Sequence, residues 1–274
     1  MSDIEAMTAV KQCTIYNSHL FSGCGYQAPS ISNFYFKPLF TIGGVQFTKP
    51  ILIMVLSLVI LLALFGAAFR RPKLVPRGVQ NLGEMAVLGV RDQILRPQLG
   101  SKGDRYLPFL VSLFFFIYFM NIFELIPVFQ FPATSKYAFP FGLTLVVWVT
   151  YLSIGIKNQG PIGYFKNMAV PSGAPWWILP LLSPIELLSN IFVRPFTLSI
   201  RLFANMLSGH LLLLVFSVGA WYLLSLSIGL VFAAASLIVF LLVFLLEILI
   251  TLLQAFIFTT LTAYYISDAL APAH

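Results

Sequence analysis

Apolar residues along this chain come in long runs rather than in alternation. Residues 50–69 carry no charged side chain over 20 positions, and a helix needs about 20 apolar residues to cross the hydrocarbon core of a bilayer. The stretches 107–120, 140–156, 176–185 and 202–246 are also free of charge apart from His210. Strands of a membrane barrel alternate apolar and polar residues, and these runs do not. The pattern predicts an all-α membrane protein.

The runs divide into five membrane-crossing helical segments. The first is expected at about 50–69, the second at about 106–127, ending at Pro127, and the third at about 139–156. Beyond residue 178 the pattern changes: Pro184 and Pro195 lie early, and no proline follows Pro195 before Pro272. The expected break is Gly219–Trp221, leaving helices of about 184–218 and 222–267. At 1.5 Å per residue these measure on the order of 50 and 70 Å, against ~30 Å of hydrocarbon. Ordinary tilt does not absorb such an excess, so the last two helices are expected to be long and strongly tilted. Three or four ordinary spans with tight turns are the alternative, but turn residues inside 222–267 are sparse. Between the first two spans, residues 79–100 place Leu82, Met85, Ala86 and Val90 on one side of a helix, with Glu84 and Arg91 opposite. This predicts an amphipathic helix on the cytoplasmic surface.

Composition agrees: 59% of the 274 residues are hydrophobic, 9% are charged, and the mean hydropathy is +0.93. The net charge of +7 does not point to nucleic acid, because eight of the 16 basic residues crowd between Arg70 and Arg105, beside a span. Such crowding marks the cytoplasmic side. The N-terminal tail, residues 1–49, is therefore expected outside and the C-terminus inside, with 50–274 forming one transmembrane domain. The tail lacks the basic start and compact apolar core of a cleavable leader. Its Cys13 and Cys24 are the only cysteines, and on an oxidising outer face they are expected to form a disulfide. No Cys/His spacing suggests a metal, and no cofactor is expected.

Ionisable residues at membrane depth are costly and mark partners or water. Here they are Glu124, Glu186, Arg194, Arg201, His210 and Glu247, with Asn121, Asn190, Asn205 and Gln254 nearby. Glu124 and Glu186 lie near span ends, where snorkelling to the interface is the competing account. Arg201 lies deep in an apolar stretch. At about 100° per residue, Asn190, Arg194, Asn205 and Ser208 share the face of Arg201, and His210 points the opposite way. On the last helix Ser236, Thr251, Gln254 and Tyr265 share the face of Glu247. Packing alone does not call for charges of both signs on two helices. Arginine holds its proton and keeps a nearby carboxylate ionised, whereas histidine titrates near neutrality. The combination describes a proton path with an electrostatic barrier.

The stretch Arg194–Met206 (RPFTLSIRLFANM), continuing through Gly209–His210, resembles the signature of subunit a of F-type ATP synthases. Leu253–Phe258 followed by Leu261–Tyr265, and more weakly Met120–Pro127, resemble two further motifs of that family. The likeness covers about 50–269, and phrases such as Ser208–Gly209–His210 look most like actinobacterial members. The resemblance implies a proton-conducting stator subunit in a bacterial plasma membrane. It implies that Arg201 separates two half-channels and meets the carboxylate of a rotor ring of c subunits, with Asn205 and Gln254 flanking it. His210 and Glu247 fall at the positions of a polar pair in the outer half-channel. Some bacterial members carry that pair exchanged. Glu124 matches an acidic position in the same half-channel, and Glu186 lies near another. The implied partners are the c ring, the peripheral-stalk b subunits, the remaining synthase subunits and membrane lipid, with no nucleic acid. The chain has no GxxxxGK[ST] phosphate loop, so nucleotide chemistry is expected on other subunits. A secondary transporter is the competing reading, but such folds carry internal repeats, and none is seen here. A membrane hydrolase would need a nucleophile with its base, or a zinc motif, and neither is found. Protons are expected as the ion rather than sodium.

Overall fold

The computed structural model describes residues 40–42, 45–70, 73, 75–126, 133–169, 178–224 and 228–270. The expected Cys13–Cys24 disulfide lies outside the described residues. Among those described, five helices are long and apolar enough to cross a membrane: Lys49–Phe69, Gly103–Ile122, Ala138–Gln159, Pro180–Leu223 and Gly229–Leu270. A short antiparallel hairpin precedes them, β1 (Phe40–Ile42) and β2 (Val45–Phe47), with Phe40 opposite Phe47.

The helical elements follow in order. They are α1 (Lys49–Phe69), α2 (Val79–Val90), a π-helical turn at Arg91–Leu95, α3 (Arg96–Leu99), α4 (Leu107–Ile122) and α5 (Ala138–Gln159). Next come α6 (Pro161–Ala169), α7 (Leu179–Leu188), a second π turn at Ser189–Val193, α8 (Arg194–Leu223) and α9 (Ile228–Leu270). The last two spans hold 44 and 42 residues. At 1.5 Å per residue each is roughly 65 Å long, twice the hydrocarbon thickness, so each must lie steeply inclined to remain within it. The break between them falls after Leu223 rather than at Gly219–Trp221. Gly219 is not among the glycines of positive φ and continues the helix, with Ser236 Oγ at an ordinary contact distance of 3.4 Å from where a Cβ would lie.

The chain forms two compact units. The larger comprises Pro38–Leu207 and Ile248–His274. Its core gathers Ile94, Leu110, Ile117, Val147, Leu202 and Phe258, all nearly or fully buried. Burying each such side chain contributes on the order of 2 kcal/mol relative to water. Polar pins join its elements: Arg91 forks onto Asp104 at 3.0 and 3.3 Å, and Ser267 Oγ donates to the Gln98 carbonyl at 2.8 Å. Gly160, at φ 75°, turns the chain from α5 into α6, a conformation open to glycine at a helix end. The turn lays Tyr164 against Gly155, where a Cβ would overlap the ring. Burial pushes the Tyr164 hydroxyl up to about 12, so it stays protonated.

The second π turn decides how α5 meets the fourth span. A widened turn frees backbone carbonyls from the regular helical ladder. Here the Asn190 carbonyl accepts from the Tyr151 hydroxyl and the Ile191 carbonyl from Trp148 Nε1, both at 3.0 Å.

The surface helix differs from its expected form. It is interrupted by the π turn at Arg91–Leu95, and its inward residues on α2 are Gln80, Gly83 and Val90. Gly83 lies inward because α1 approaches closely: a Cβ there would lie 2.7 Å from that of Ala68. Leu82 and Met85 are 62% and 60% exposed, the apolar side that a surface helix turns towards lipid.

The smaller unit is described over residues 208–224 and 228–247. It is an antiparallel pair formed by the end of α8 and the beginning of α9. Ser236 Oγ donates to the Phe216 carbonyl at 2.9 Å. A cavity of about 400 Å³, lined by Ser217, Trp221, Ala233 and Phe240 among others, lies between the two helices.

Candidate functional site

In the larger unit the site is built on α8 and α9. On α8, Leu198, Leu202 and Met206 recur at helical spacing and are buried to 2% exposure or less. This row fixes the rotation of the helix and leaves Arg194, Arg201 and Asn205 beside it, none of them fully buried. On α9, Thr251, Gln254, Phe258 and Tyr265 are buried at the matching period. The polar face expected on this helix is thus an inward one.

The two arginines of α8 differ in their partners. Arg194 donates from Nη1 to Asp268 Oδ2 at 2.8 Å, and its Cζ lies 5.4 Å from the Tyr265 ring centre and 5.9 Å from that of Tyr264. Its charge is thereby answered within the chain. Among the described residues Arg201 has no carboxylate within 4.0 Å. One turn beyond Arg201, Asn205 Nδ2 donates to Gln254 Oε1 at 3.0 Å. Gln254 is 2% exposed, and its Nε2, like Thr251 Oγ1, finds no hydrogen-bond partner among the described residues. Buried amide and hydroxyl groups are normally satisfied. Such groups beside an unanswered cation are suited to water or to a visiting polar group.

In the smaller unit Glu247 and His210 are both buried, at 1% and 9% exposure. The carboxylate of Glu247 packs directly on Gly209, filling the space a Cβ would need. Sequence reasoning passed over Gly209 except as part of a motif. Its role is to admit the acid beside the histidine-bearing turn.

Three expected positions lie elsewhere. Asn190 does not continue the face of Arg201, because the π turn contributes one more residue than a regular helix and displaces the count. Its amide donates to the Met168 carbonyl at 3.2 Å and to Glu186 Oε2 at 3.5 Å. Glu186 thus belongs to a group at the start of the fourth span. Glu124 sits in the turn after α4, 5% exposed, close in sequence to Asn121, whose Oδ1 accepts from Thr134 at 2.5 Å. Thr134 carried no signal in the sequence, because an isolated threonine in a loop has no pattern.

These groups lie on a chain whose relatives are consistent with one another. A family model, that of the ATP synthase A chain, matches residues 51–267. The chain belongs to this family. It is 41% identical over 259 residues to ATP synthase subunit a of Streptomyces lividans, covering 93% of this chain and 92% of the relative. To the subunit a of Frankia alni it is 45% identical over 252 residues, 90% of this chain and 87% of the relative. To that of Rhodococcus erythropolis it is 37% identical over 250 residues, 89% and 90% of the two chains. Such relatives are mostly actinobacterial, as the sequence phrases suggest. The stretch matched to the ATP synthase A chain family contains every residue from Glu124 to Gln254 discussed above.

Proposed function

We propose that the chain is the proton-conducting stator subunit of an F-type ATP synthase, supplying two half-channels that load and unload a carboxylate on a rotor ring of c subunits. The observation that carries this reading is the contrast between Arg194, answered by Asp268 at 2.8 Å, and Arg201, which has no carboxylate within 4.0 Å among the described residues. A permanent cation at membrane depth is costly without a counter-ion, and a rotor carboxylate that comes and goes fits that need. At ~4 Å and an effective dielectric constant near ~20 the attraction is on the order of 4 kcal/mol before desolvation. This biases the carboxylate strongly towards ionisation yet lets the pair separate as the ring turns.

In this reading the proton enters from the outer side past Glu124, His210 and Glu247 and protonates the rotor carboxylate. It leaves to the cytoplasm almost one turn of the ring later, when Arg201 favours the ionised form. Asn205, Gln254 and Thr251 offer the polar lining through which the carboxylate passes, and the hydrogen bond between the two amides keeps that lining in register. Glu186 belongs to the polar group at the opposite end of the fourth span. The N-terminus lies outside and the C-terminus in the cytoplasm of a bacterial cell. Peripheral-stalk b subunits hold the chain against the ring, and catalysis takes place on other subunits.

The test is ATP-driven proton pumping in inverted vesicles, with assembly checked by native gel. Arg201→Ala is expected to abolish pumping and ATP synthesis in an assembled complex. Arg201→Lys, which keeps the charge but loses the planar fork, is expected to be badly impaired. Normal pumping by an assembled Arg201→Ala complex would overturn the reading.

A further inference from the structure

A second polar site, sharing no lining residue with the proposed proton path, lies where the beginning of the second span meets the ends of the third and fifth. These three span ends share one side of the membrane, since two crossings separate each from the next. A cavity of about 440 Å³ opens there, with Arg105 and Tyr106 on one wall and Ser153, Lys157 and Asn158 on the other. Ser153 and Lys157 are one helical turn apart on α5 and so present themselves together. Ile154 adds an apolar surface.

The site carries unanswered positive charge. Among the described residues neither Arg105 nor Lys157 has a carboxylate within 4.0 Å. The two acids closest in sequence to this cavity are committed elsewhere: Asp104 is held by Arg91 at 3.0 Å, and Asp268 by Arg194 at 2.8 Å. Asn158 is fixed by donating to the Leu270 carbonyl at 3.4 Å, which draws the end of α9 against α5. The last turn of α5 also presents free carbonyls, which favour a cation such as Lys157 there. Two exposed cations, hydroxyl groups and an apolar wall at the level where spans end make a seat for an anion with an attached chain. Basic pockets between span ends on the cytoplasmic side suit phosphate-bearing lipid headgroups.

We propose that this cavity binds the phosphodiester headgroup of an anionic membrane phospholipid, with Arg105 and Lys157 as its charge partners. The lipid fastens the starts and ends of three spans that few covalent connections join. The proposal is independent of the proton path and of the role of Arg201.

The experiment uses the whole purified complex, stripped of lipid in detergent and titrated with a photoactivatable phosphatidylglycerol. Labelling of the peptide around Ser153–Asn158 is read by mass spectrometry. Saturable labelling is expected, and Arg105→Gln combined with Lys157→Gln should raise the half-saturating concentration on the order of 10- to 30-fold. Each single change should give part of that shift if the double variant assembles poorly, and Lys157→Arg should retain binding. Equal labelling by a phosphatidylcholine analogue would overturn the assignment, as would labelling indifferent to both substitutions. Displacement by an equal concentration of inorganic phosphate would show a soluble-anion site instead and would overturn the lipid as its occupant.

Discussion

The carboxylate of Glu247 occupies the space in front of Gly209 that any other side chain would fill. Glycine at this position is therefore a requirement of the acid, not of the backbone, since the residue sits within the regular helix α8. Gly209→Ala should push Glu247 from its place beside the turn bearing His210. A displacement of about 1 Å can cost up to roughly 100-fold in a positioned reaction. Pumping by inverted vesicles should fall severely while the complex still assembles, and unaltered pumping would show that the carboxylate need not stay where it is.

Because Glu247 lies against the residue next to His210, the two side chains are expected to work as an acid–imidazole pair. His210→Ala should slow proton uptake and move its pH dependence. The exchange of His210→Glu with Glu247→His keeps one acid and one imidazole. It should recover part of the pumping lost in the single variants. An exchanged variant no better than the worse single one would separate the two functionally.

The bond from Asn205 to Gln254, 3.0 Å long, stabilises the lining as well as shaping it. Asn205→Ala leaves the buried Gln254 amide with neither end paired, at a cost of about 1–3 kcal/mol. Replacing both by leucine removes the unsatisfied groups and should restore much of the thermal stability of the purified complex without restoring pumping. If stability and pumping recovered together, the amides would be packing elements only.

Gly155 and Tyr164 supply a test of the fold independent of transport. A Cβ at Gly155 would overlap the tyrosine ring, and overpacking of this kind costs about 1–3 kcal/mol. Gly155→Ala should lower the thermal unfolding midpoint, and Tyr164→Leu added to it should raise the midpoint again. A Gly155→Ala variant as stable as the parent would mean that α6 can move away from α5 freely.

The spans were readable because length and apolarity alone decide whether a helix suits a bilayer. The polar face of α9 was equally readable: Thr251, Gln254 and Tyr265 follow Glu247 at the helical period, and all are buried. What escaped depends on contacts distant in sequence or on departures from regular helix. Arg194 looked like one more member of the face of Arg201, and nothing local tied it to Asp268, 74 residues away. Counting 100° per residue assumes no widened turn, and the π turn at Ser189–Val193 takes Asn190 off the face so counted. Glycine often ends helices, which places the break between the last two spans at Gly219, but this glycine is not among those of positive φ and the helix runs on to Leu223. The approach of α1 to Gly83 is another such contact, which no periodicity within 79–100 records.

The widened turn at Ser189–Val193 also sets how the fourth span tolerates changes in length. A π turn is in effect one residue inserted into an α-helix, so deleting one residue there would let the segment relax to regular helix with Arg201 still on its face. The loss would fall on Trp148 and Tyr151, whose acceptors are the Ile191 and Asn190 carbonyls. The same deletion between Arg194 and Arg201 would swing one arginine about 100° past the other, parting Arg194, held by Asp268, from the face of Arg201. Two shortenings a few residues apart would thus differ sharply, one trimming an anchor between helices and the other turning Arg201 away from its neighbours, though neither removes a charged side chain.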